Sequence, residues 1–278
     1  HYVAAKHLLE HVPPPAWAAL RVGGAALVML AFTARSWSKW PRDTRSWIQL
    51  LVLSAFGVIF NQILFLEGLS RTVPSHSALI NTSIPVVTLV VAVLLRHERF
   101  DRRKIAAVAL SLGGVLILLR VDQFDPTAGT VQGDLLTLAN ASSFSVFLVL
   151  SRPVAQRLGA RIVTPITFAM GSIAVGLFGA PELRTMDWSA VPTSVWWIGV
   201  FIVLGPTVGT YALNVWSLQR VESSSVALFV YLQFVLAAPL SAWLLDEPLS
   251  WRLLPAATLV FLGVALARRR PRRPTPAP

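Results

Sequence analysis

The sequence predicts an all-α integral membrane protein, with ten transmembrane helices arranged as two inverted five-helix halves. Three observations lead to this fold class. Hydrophobic residues make up 55% of the 278 residues and charged residues only 13%, about half of the ~25% that is typical of soluble domains. Residues 60–119 recur in weaker form 149 positions later, so that Arg71 aligns with Arg220 and Glu98 with Glu247. Finally, the basic residues fall mainly on alternate connections between the apolar runs.

The first half, residues 1–120, contains five apolar runs, at 2–9, 13–34, 47–69, 72–95 and 104–119. A helix that crosses a bilayer needs about 17–25 residues. The run at 2–9 is too short, and we therefore expect it to be the outer end of a first helix whose beginning is missing from the chain. Pro85 lies in the fourth run beside polar residues, where the alternatives are a kink satisfied by neighbouring helices and a mid-helix break that exposes backbone groups to a cavity.

The second half, residues 132–267, contains five further runs, at 132–151, 162–181, 195–218, 223–245 and 251–267. Turn-forming and solvated residues, among them Asp122, Pro126 and Gly129, predict that 121–131 is a linker between the halves. Pro206 lies in the eighth run and leaves the same two alternatives as Pro85. The last segment, 268–278, mixes Arg with Pro and is expected to be a disordered cytoplasmic tail.

The distribution of basic residues predicts the orientation. If the chain starts in the cytoplasm, 18 of the 24 Lys and Arg fall in inside segments and 4 in outside segments. This bias places both termini in the cytoplasm. It also assigns the net charge of +11 to membrane orientation and not to nucleic acid, for which no basic aromatic platform is present. Because each half holds five helices, the second half enters the membrane from the opposite side. Inverted halves place a substrate path near the midplane.

A few ionisable residues lie inside the apolar runs, where a charge costs about 2.5–3.5 kcal/mol and therefore suggests function. Arg21 is deep in the second run, and either binds an anionic substrate group or pairs with Glu67 or a carbonyl. Lys6 either contacts ligand or extends to the surface. His76 belongs to the same group. Glu67 lies near a helix end, where proton coupling and a solvated cap are the alternatives.

Uncharged polar residues recur in the apolar runs of both halves. Each one alone is best explained as a hydrogen bond between helices. Together they predict a polar cavity with apolar walls, the usual composition of a small-molecule site. With the ionisable residues, the candidate substrate-binding set is Lys6, Arg21, Asn61, His76, Asn81, Asn140, Tyr211, Asn214, Tyr231 and Gln233.

Enzyme and metal motifs are weak or missing from the sequence. His7, Glu10 and His11 match an H-x-x-E-H string that occurs in metalloproteases, but the string ends an apolar helix before Pro13 and no further acidic helix supplies another ligand. No G-x-x-x-x-G-K phosphate loop is present, and there is no cysteine. We therefore expect no catalytic residues, no metal and no cofactor.

The strings and their order resemble the EamA-type transporters of the drug/metabolite transporter superfamily. In the first half the matching residues are YVAAK at 2–6, VPP at 12–14, ALR at 19–21, residues 72–78, Pro85, HER at 97–99 and Gly113–Gly114. In the second half they are SSSVA at 223–227, YLQ at 231–233, DEP at 246–248 and Gly263. Phe234 departs from the family pattern, which usually has Pro at that position.

This resemblance implies a bacterial inner-membrane carrier that exports amino acids or similar small metabolites through a cavity between the halves. Glu98 and Glu247 lie at helix ends beside basic residues, where we expect them to anchor loops and cap helices and not to couple to protons. The expected partners are a small-molecule substrate and the lipid bilayer, with a proton as a candidate coupling ion and either a monomer or a homodimer as the assembly. The alternatives are a carrier of nucleotide-sugars or other phosphorylated metabolites, and a membrane-embedded enzyme or scaffold.

Overall fold

A computed structural model describes residues 2–33, 40–72, 74–118, 131–232, 235 and 251–268. These residues are almost entirely helical, with no β-strand among them. In the first half, the described helices are α1 (Tyr2–Leu9), α2 (Pro14–Thr33), α3 (Thr44–Arg71), α4 (Pro74–Asn81), α5 (Ile84–Leu94) and α6 (Arg102–Leu118). Asp43 caps the start of α3, since its carboxylate accepts a hydrogen bond from the backbone N–H of Ser46 at 2.8 Å.

The second half contains α7 (Val131–Leu158), α8 (Ala160–Thr185), α9 (Thr193–Leu218), α10 (Ser223–Leu232) and α11 (Leu253–Arg268). Gly159 separates α7 from α8 with φ of 85°, a left-handed backbone conformation that glycine adopts without steric cost. The predicted linker lies outside the described residues up to position 130, and the predicted tail lies outside them from position 269.

Six of the described helical segments are long and apolar enough to cross a membrane, namely Pro14–Thr33, Thr44–Arg71, His76–Leu94, Val131–Leu158, Ala160–Thr185 and Thr193–Leu218. Two shorter apolar helices are Ser223–Leu232 and Leu254–Ala267. The chain is thus an all-helical, multi-pass membrane protein, whereas the count of ten spans stays a prediction.

Of the two alternatives at Pro85, the structure has the break. α4 ends at Asn81 and α5 begins at Ile84, with a turn at Thr82 and Ser83 between them. The N–H groups of Thr82 and Ser83 donate to the carbonyls of Leu79 and Ile80 at 3.0 and 2.9 Å. The turn therefore supplies part of the hydrogen bonding at the broken segment, as buried backbone requires.

α3 and α9 each contain one wide, π-type turn, at Ala55–Ile59 and Val203–Gly209. These two helices begin 149 residues apart, and the offset that aligns them places Gly57 of the first turn opposite Pro206 of the second. Proline lacks a backbone donor and displaces the helical hydrogen bonding around it. Such turns are rare and occur frequently at functional sites.

Helices that are equivalent at the 149-residue offset pack against each other in opposite directions. On α6, a Cβ at Gly114 would overlap the carbonyl of Ala256 on α11, while a Cβ at Gly263 would overlap the carbonyl of Ala107. α2 and α8 behave alike, since Gly179 near the end of α8 lies against Pro15 at the start of α2. Without a Cβ at these positions the helix backbones can approach closely in lipid.

The described helices enclose two apolar clusters. The larger one joins α1, α2, α3, α7, α8 and α9 with the first turns of α5 and α10, and the smaller one joins α4, α6 and α11 with later turns of α5 and α10. Large apolar side chains also point outward, with Phe32 85% exposed and Trp197 70% exposed. Exposing these apolar side chains to water would be costly, whereas lipid chains solvate them well.

Candidate functional site

A central cavity of about 140 Å³ lies where α2, α3, α7 and α9 meet the break between α4 and α5. Its walls combine three apolar side chains with polar ones from both halves. The lining residues are Arg21, Asn61, Gln62, Phe65, Asn81, Ile84, Asn140, Phe144 and Tyr211. This mixture of apolar walls and a few convergent polar groups is the composition expected of a small-molecule site.

Tyr211 organises the wall formed by α3 and α9. Its hydroxyl lies 2.7 Å from both the Gly57 carbonyl and Asn61 Oδ1, and it accepts a hydrogen bond from Gln62 Nε2 at 3.3 Å. The Gly57 carbonyl belongs to the wide turn of α3. Aromatic rings flank the phenol, with the Phe168 centroid 4.8 Å away in an edge-to-face arrangement. Both polar and apolar contacts therefore fix the orientation of the phenol.

Gly57 is the position that allows this packing. A Cβ there would overlap the ring of Phe147, which itself lies against the Tyr211 ring with centroids 5.8 Å apart. Gly57 thus lies in the wide turn of α3 and has no side chain, which allows α7 to approach closely there.

Arg21 is the buried cation of the cavity, with only 4% of its surface exposed. Its Nε donates to Thr207 Oγ1 at 2.8 Å, and Thr207 donates to the Ile202 carbonyl at 2.8 Å within the wide turn of α9. The guanidinium carbon lies 5.8 Å from the centroid of the Phe65 ring. Among the described residues, nothing accepts a hydrogen bond from Arg21 Nη1.

The structure does not pair Arg21 with Glu67, which was one of the two alternatives drawn from the sequence. Glu67 forms an ion pair with Arg71 one turn further along α3, at 2.5 Å. Arg21 is bonded to a neutral hydroxyl instead, and no carboxylate of the described chain lies within ion-pair distance of it. A buried charge without an opposite charge is costly, so the guanidinium keeps a strong capacity for an anionic partner.

Asn61, Asn81, Asn140 and Gln62 form the rest of the polar wall. Asn140 Nδ2 donates to the Asn61 carbonyl at 2.7 Å, joining α7 to α3. Asn81 Nδ2 donates to the Ser77 carbonyl at 2.8 Å, at the end of α4 before the break. Gln62 Oε1 is buried without a hydrogen-bond partner among the described residues. Arg21 Nη1 and Gln62 Oε1, on two side chains that line the cavity, are thus both buried without a hydrogen-bond partner among the described residues.

Five of the predicted site residues line this cavity, namely Arg21, Asn61, Asn81, Asn140 and Tyr211. Three others lie elsewhere. His76 Nδ1 is 3.2 Å from Asp134 Oδ2 at the contact of α4 with α7, and Asn214 borders a groove beside Arg220 and Trp216. Tyr231 is fully buried in the smaller apolar cluster.

For the last two predicted residues, Lys6 and Gln233, the structure describes no side chain. Lys6 belongs to α1, but its side chain lies outside the described residues, as does Gln233 altogether. Gln62 belongs to the uncharged polar residues of the apolar runs that predict a polar cavity, and it aligns with Tyr211 at the 149-residue offset. Phe65, Phe144 and Thr207 were not selected from the sequence.

A second polar cluster ties the halves together at the loop between α5 and α6. Both oxygens of Glu98 accept hydrogen bonds from Ser224, one from the backbone N–H at 3.0 Å and one from the hydroxyl at 2.5 Å. Lys104 Nζ lies 2.8 Å from Glu98 and 2.6 Å from Glu222. Glu98 thus caps α10 of the other half, as its position beside basic residues predicted, while Glu247 lies outside the described residues.

The surroundings of Glu98 favour its charged form. Burial alone would raise the pKa of this carboxyl, but the hydrogen bonds from Lys104 and Ser224 outweigh burial, and the pKa of Glu98 lies below its usual value. The contacts that form this tie between the halves therefore stabilise the carboxylate over the neutral acid.

Comparison with known proteins gives a consistent picture. The sequence model of the EamA-like transporter family matches residues 1–120 and again residues 131–269. An uncharacterized transporter of Bacillus subtilis, YyaM, is 25% identical over 266 residues, which are 95% of this chain and 87% of that protein. A probable amino-acid metabolite efflux pump of Salmonella typhimurium is also 25% identical, and the aligned region spans 95% of this chain and 88% of that protein.

Similarity extends to a solved structure. A crystal structure of another protein matches this chain with a TM-score of 0.77 and 22% identity, covering 96% of this chain and 91% of the other. At that identity the match shows a shared fold.

Proposed function

Because this chain belongs to the EamA-like transporter family, we propose that it exports amino acids or similarly small metabolites by alternating access between its two halves. The observation that carries the proposal is the central cavity, where residues of both halves meet around the buried Arg21 guanidinium, which has no ion-pair partner among the described residues. The Salmonella relative is a probable amino-acid metabolite efflux pump, which supports the substrate class.

The packing of equivalent helices supports two inverted halves, 1–120 and 132–267, with ten spans in total. α2 and α8 are equivalent, as are α6 and α11, and each pair runs antiparallel. If both members of a pair cross the bilayer, the two halves must enter it from opposite sides. In inverted-repeat carriers, the substrate site lies near the midplane between the halves and one half moves against the other around it.

The unpartnered atoms of the cavity match the two charged groups of an amino acid. Arg21 Nη1 can donate to a carboxylate, a geometry for which guanidinium is well suited. Gln62 Oε1 can accept from an ammonium group on the same ligand. Arg21 would therefore bind the carboxylate, while Gln62 and Asn81 would bind the amine. The apolar residues Phe65, Ile84 and Phe144 would contact the side chain of the substrate.

The cavity is small for such a ligand. Small-molecule pockets usually measure about 300–1,000 Å³, whereas this cavity measures about 140 Å³. Entry of a substrate therefore requires the halves to separate on one side. The tie between Glu98 and Ser224 joins the halves, and its release would open that side.

The distribution of basic residues favours a bacterial inner membrane with both termini and the tail 268–278 in the cytoplasm. The Glu98 tie then lies on the cytoplasmic side. A carrier of nucleotide-sugars or other phosphorylated metabolites is less well supported, because Arg21 is the one cation among the described residues that line the cavity.

Counterflow in liposomes tests the proposal. Vesicles that hold the purified chain and unlabelled amino acids should accumulate labelled amino acid from outside, while vesicles that lack the protein should not. A label that is chemically converted without crossing the membrane would support a membrane-embedded enzyme, and an inert protein that neither converts nor moves any of a panel of metabolites would support a scaffold.

A further inference from the structure

His7, Glu10 and His11 form a compact cluster at the end of α1. Their ligand atoms, two imidazole nitrogens and one carboxylate oxygen, all lie within 4.8 Å of one another. None of the three lines the central cavity, and neither the hydrophobic packing nor the proposed transport path uses them. From the sequence, the H-x-x-E-H string was set aside because it lacks the further ligand of a protease.

The local chain geometry brings these side chains together. α1 ends at Leu9, and the turn continues through hydrogen bonds from the N–H groups of Glu10 and His11 to the carbonyls of His7 and Leu8. Positions i, i+3 and i+4 of a helical turn share one face. The rings of His7 and His11 therefore approach to 5.1 Å between centroids.

The distances suit coordination of one ion. Zinc binds imidazole nitrogen at about 2.0–2.1 Å, so two ligand atoms of a tetrahedral ion stand about 3.3 Å apart. His7 Nδ1 and Glu10 Oε2 are 3.0 Å apart already. His11 Nδ1 lies 3.2 Å from the His7 carbonyl, which leaves Nε2 of the same ring as a ligand. Small changes in side-chain torsions bring the third ligand into range.

From this geometry we propose that His7, Glu10 and His11 bind one divalent transition-metal ion of the zinc or copper type. Two imidazoles and a carboxylate are a ligand set that zinc uses, with water in the fourth position. Imidazole ligands also suit Cu²⁺, which binds more tightly than the other divalent ions of its row. The side chains of His7 and Glu10 are about half exposed, so the ion can enter from solvent.

The site holds the end of α1 in place. Pro13 and the start of α2 at Pro14 follow directly after His11, and α1 packs against α3, α4 and α9, which belong to both halves. A bound ion would link the last turn of α1 to the turn that leads into α2.

Metal titration of the tag-free, detergent-solubilised full chain tests this proposal without measuring transport. Calorimetry with ZnCl₂ should give one ion per chain, and electron paramagnetic resonance with CuCl₂ should show coupling to two imidazole nitrogens. His11→Ala should reduce this coupling to one nitrogen and weaken Zn²⁺ binding at least about tenfold, equivalent to about 1.4 kcal/mol. Glu10→Gln should also weaken Zn²⁺ binding but keep both nitrogens.

His97→Ala provides the matched control, because His97 lies in the loop between α5 and α6 and bonds to the Val149 carbonyl. It should bind Zn²⁺ and Cu²⁺ like the parent chain. Equal binding by the parent and by the double variant His7→Ala/His11→Ala would overturn the proposal, as would a parent chain that binds neither ion. Both results stand apart from the counterflow assay, so a failure here leaves the transport function untouched.

Discussion

Gln62 and Tyr211 occupy equivalent positions in the two halves, 149 residues apart, and their side chains meet in the central cavity, where Gln62 Nε2 donates to the Tyr211 hydroxyl at 3.3 Å. Two residues related by an internal repeat can touch only where the two copies face each other. Ser111 and Val260, also 149 residues apart, meet in the same way where α6 packs on α11, with 3.5 Å between the Ser111 hydroxyl and the Val260 carbonyl.

Replacing the buried cation of the cavity should abolish transport. Arg21→Met introduces the residue that occupies the equivalent position, Met170, and removes the donor for a substrate carboxylate. A hydrogen bond to a charged group contributes about 1.5–3 kcal/mol, so amino-acid counterflow should fall by at least about tenfold. Arg71→Gln, which alters an exposed cation outside the cavity, should retain counterflow. Normal flux through Arg21→Met would remove Arg21 from the site.

The two buried tyrosines should respond differently to loss of the hydroxyl. Tyr211→Phe leaves Asn61 Oδ1 and the Gly57 carbonyl without their shared donor, which should cost about 1–3 kcal/mol. Tyr231→Phe removes a buried hydroxyl that has no partner among the described residues, so this change should be neutral or stabilising. Thermal unfolding followed by tryptophan fluorescence measures both, since the chain contains ten Trp. Equal melting temperatures for the two variants would contradict the assigned hydrogen bonds.

Gly57→Ala should destabilise the protein. The added methyl group would overlap the Phe147 ring, and overpacking of this kind costs about 1–3 kcal/mol. Gly113→Ala is the control, because nothing in the described structure lies within 4 Å of a Cβ there, and alanine favours a helix over glycine by about 1 kcal/mol. We therefore expect opposite shifts in melting temperature. A rise for Gly57→Ala would show that α7 does not approach the wide turn of α3 as described.

The tie at Glu98 should make stability depend on pH. Because the pKa of Glu98 is lowered in the folded protein, its contribution is fully present above the unfolded pKa of about 4.5 and is lost as pH falls through the lower folded value. The melting temperature of the parent chain should therefore drop below about pH 4.5, in addition to any general acid effect.

Glu98→Gln should already be less stable at neutral pH and should lose that part of the acid dependence, because an amide cannot be ionised. Glu67→Gln is the matched control, as Glu67 pairs with Arg71 at the end of α3 and makes no contact with Ser224. Identical pH profiles for Glu98→Gln and the parent chain would exclude the tie as a source of the acid sensitivity.

Much of the fold could be predicted from patterns of hydrophobicity. The apolar runs at 13–34, 47–69 and 162–181 correspond to α2, α3 and α8 within a few residues, because a helix in lipid must be apolar along its length. A kink or break at Pro85 was predictable since proline removes a backbone donor and disfavours helical geometry in the preceding residue. The wide turn at Ala55–Ile59 was not, because that segment contains no proline.

The candidate site was predictable only in part. Arg21, Asn61, Asn81, Asn140 and Tyr211 were selected because each is polar within an apolar run, and all five line one cavity. Asn214 and Tyr231 have the same signature but lie outside that cavity. A polar residue in a membrane helix can face a cavity, a neighbouring helix or an outer groove, and the sequence does not specify the rotation of the helix about its axis.

The sequence by itself determined that this chain is a helical membrane protein, that its halves repeat, and which family it belongs to. These properties follow from composition, periodicity and order along the chain, all of which are local or linear. The tertiary structure alone decided which polar groups converge: that Gln62 meets Tyr211, that Arg21 bonds to Thr207 and not to Glu67, and that Glu98 caps α10 of the other half. Each of these contacts joins residues far apart in sequence, so it depends on how the helices pack and how each is turned about its axis.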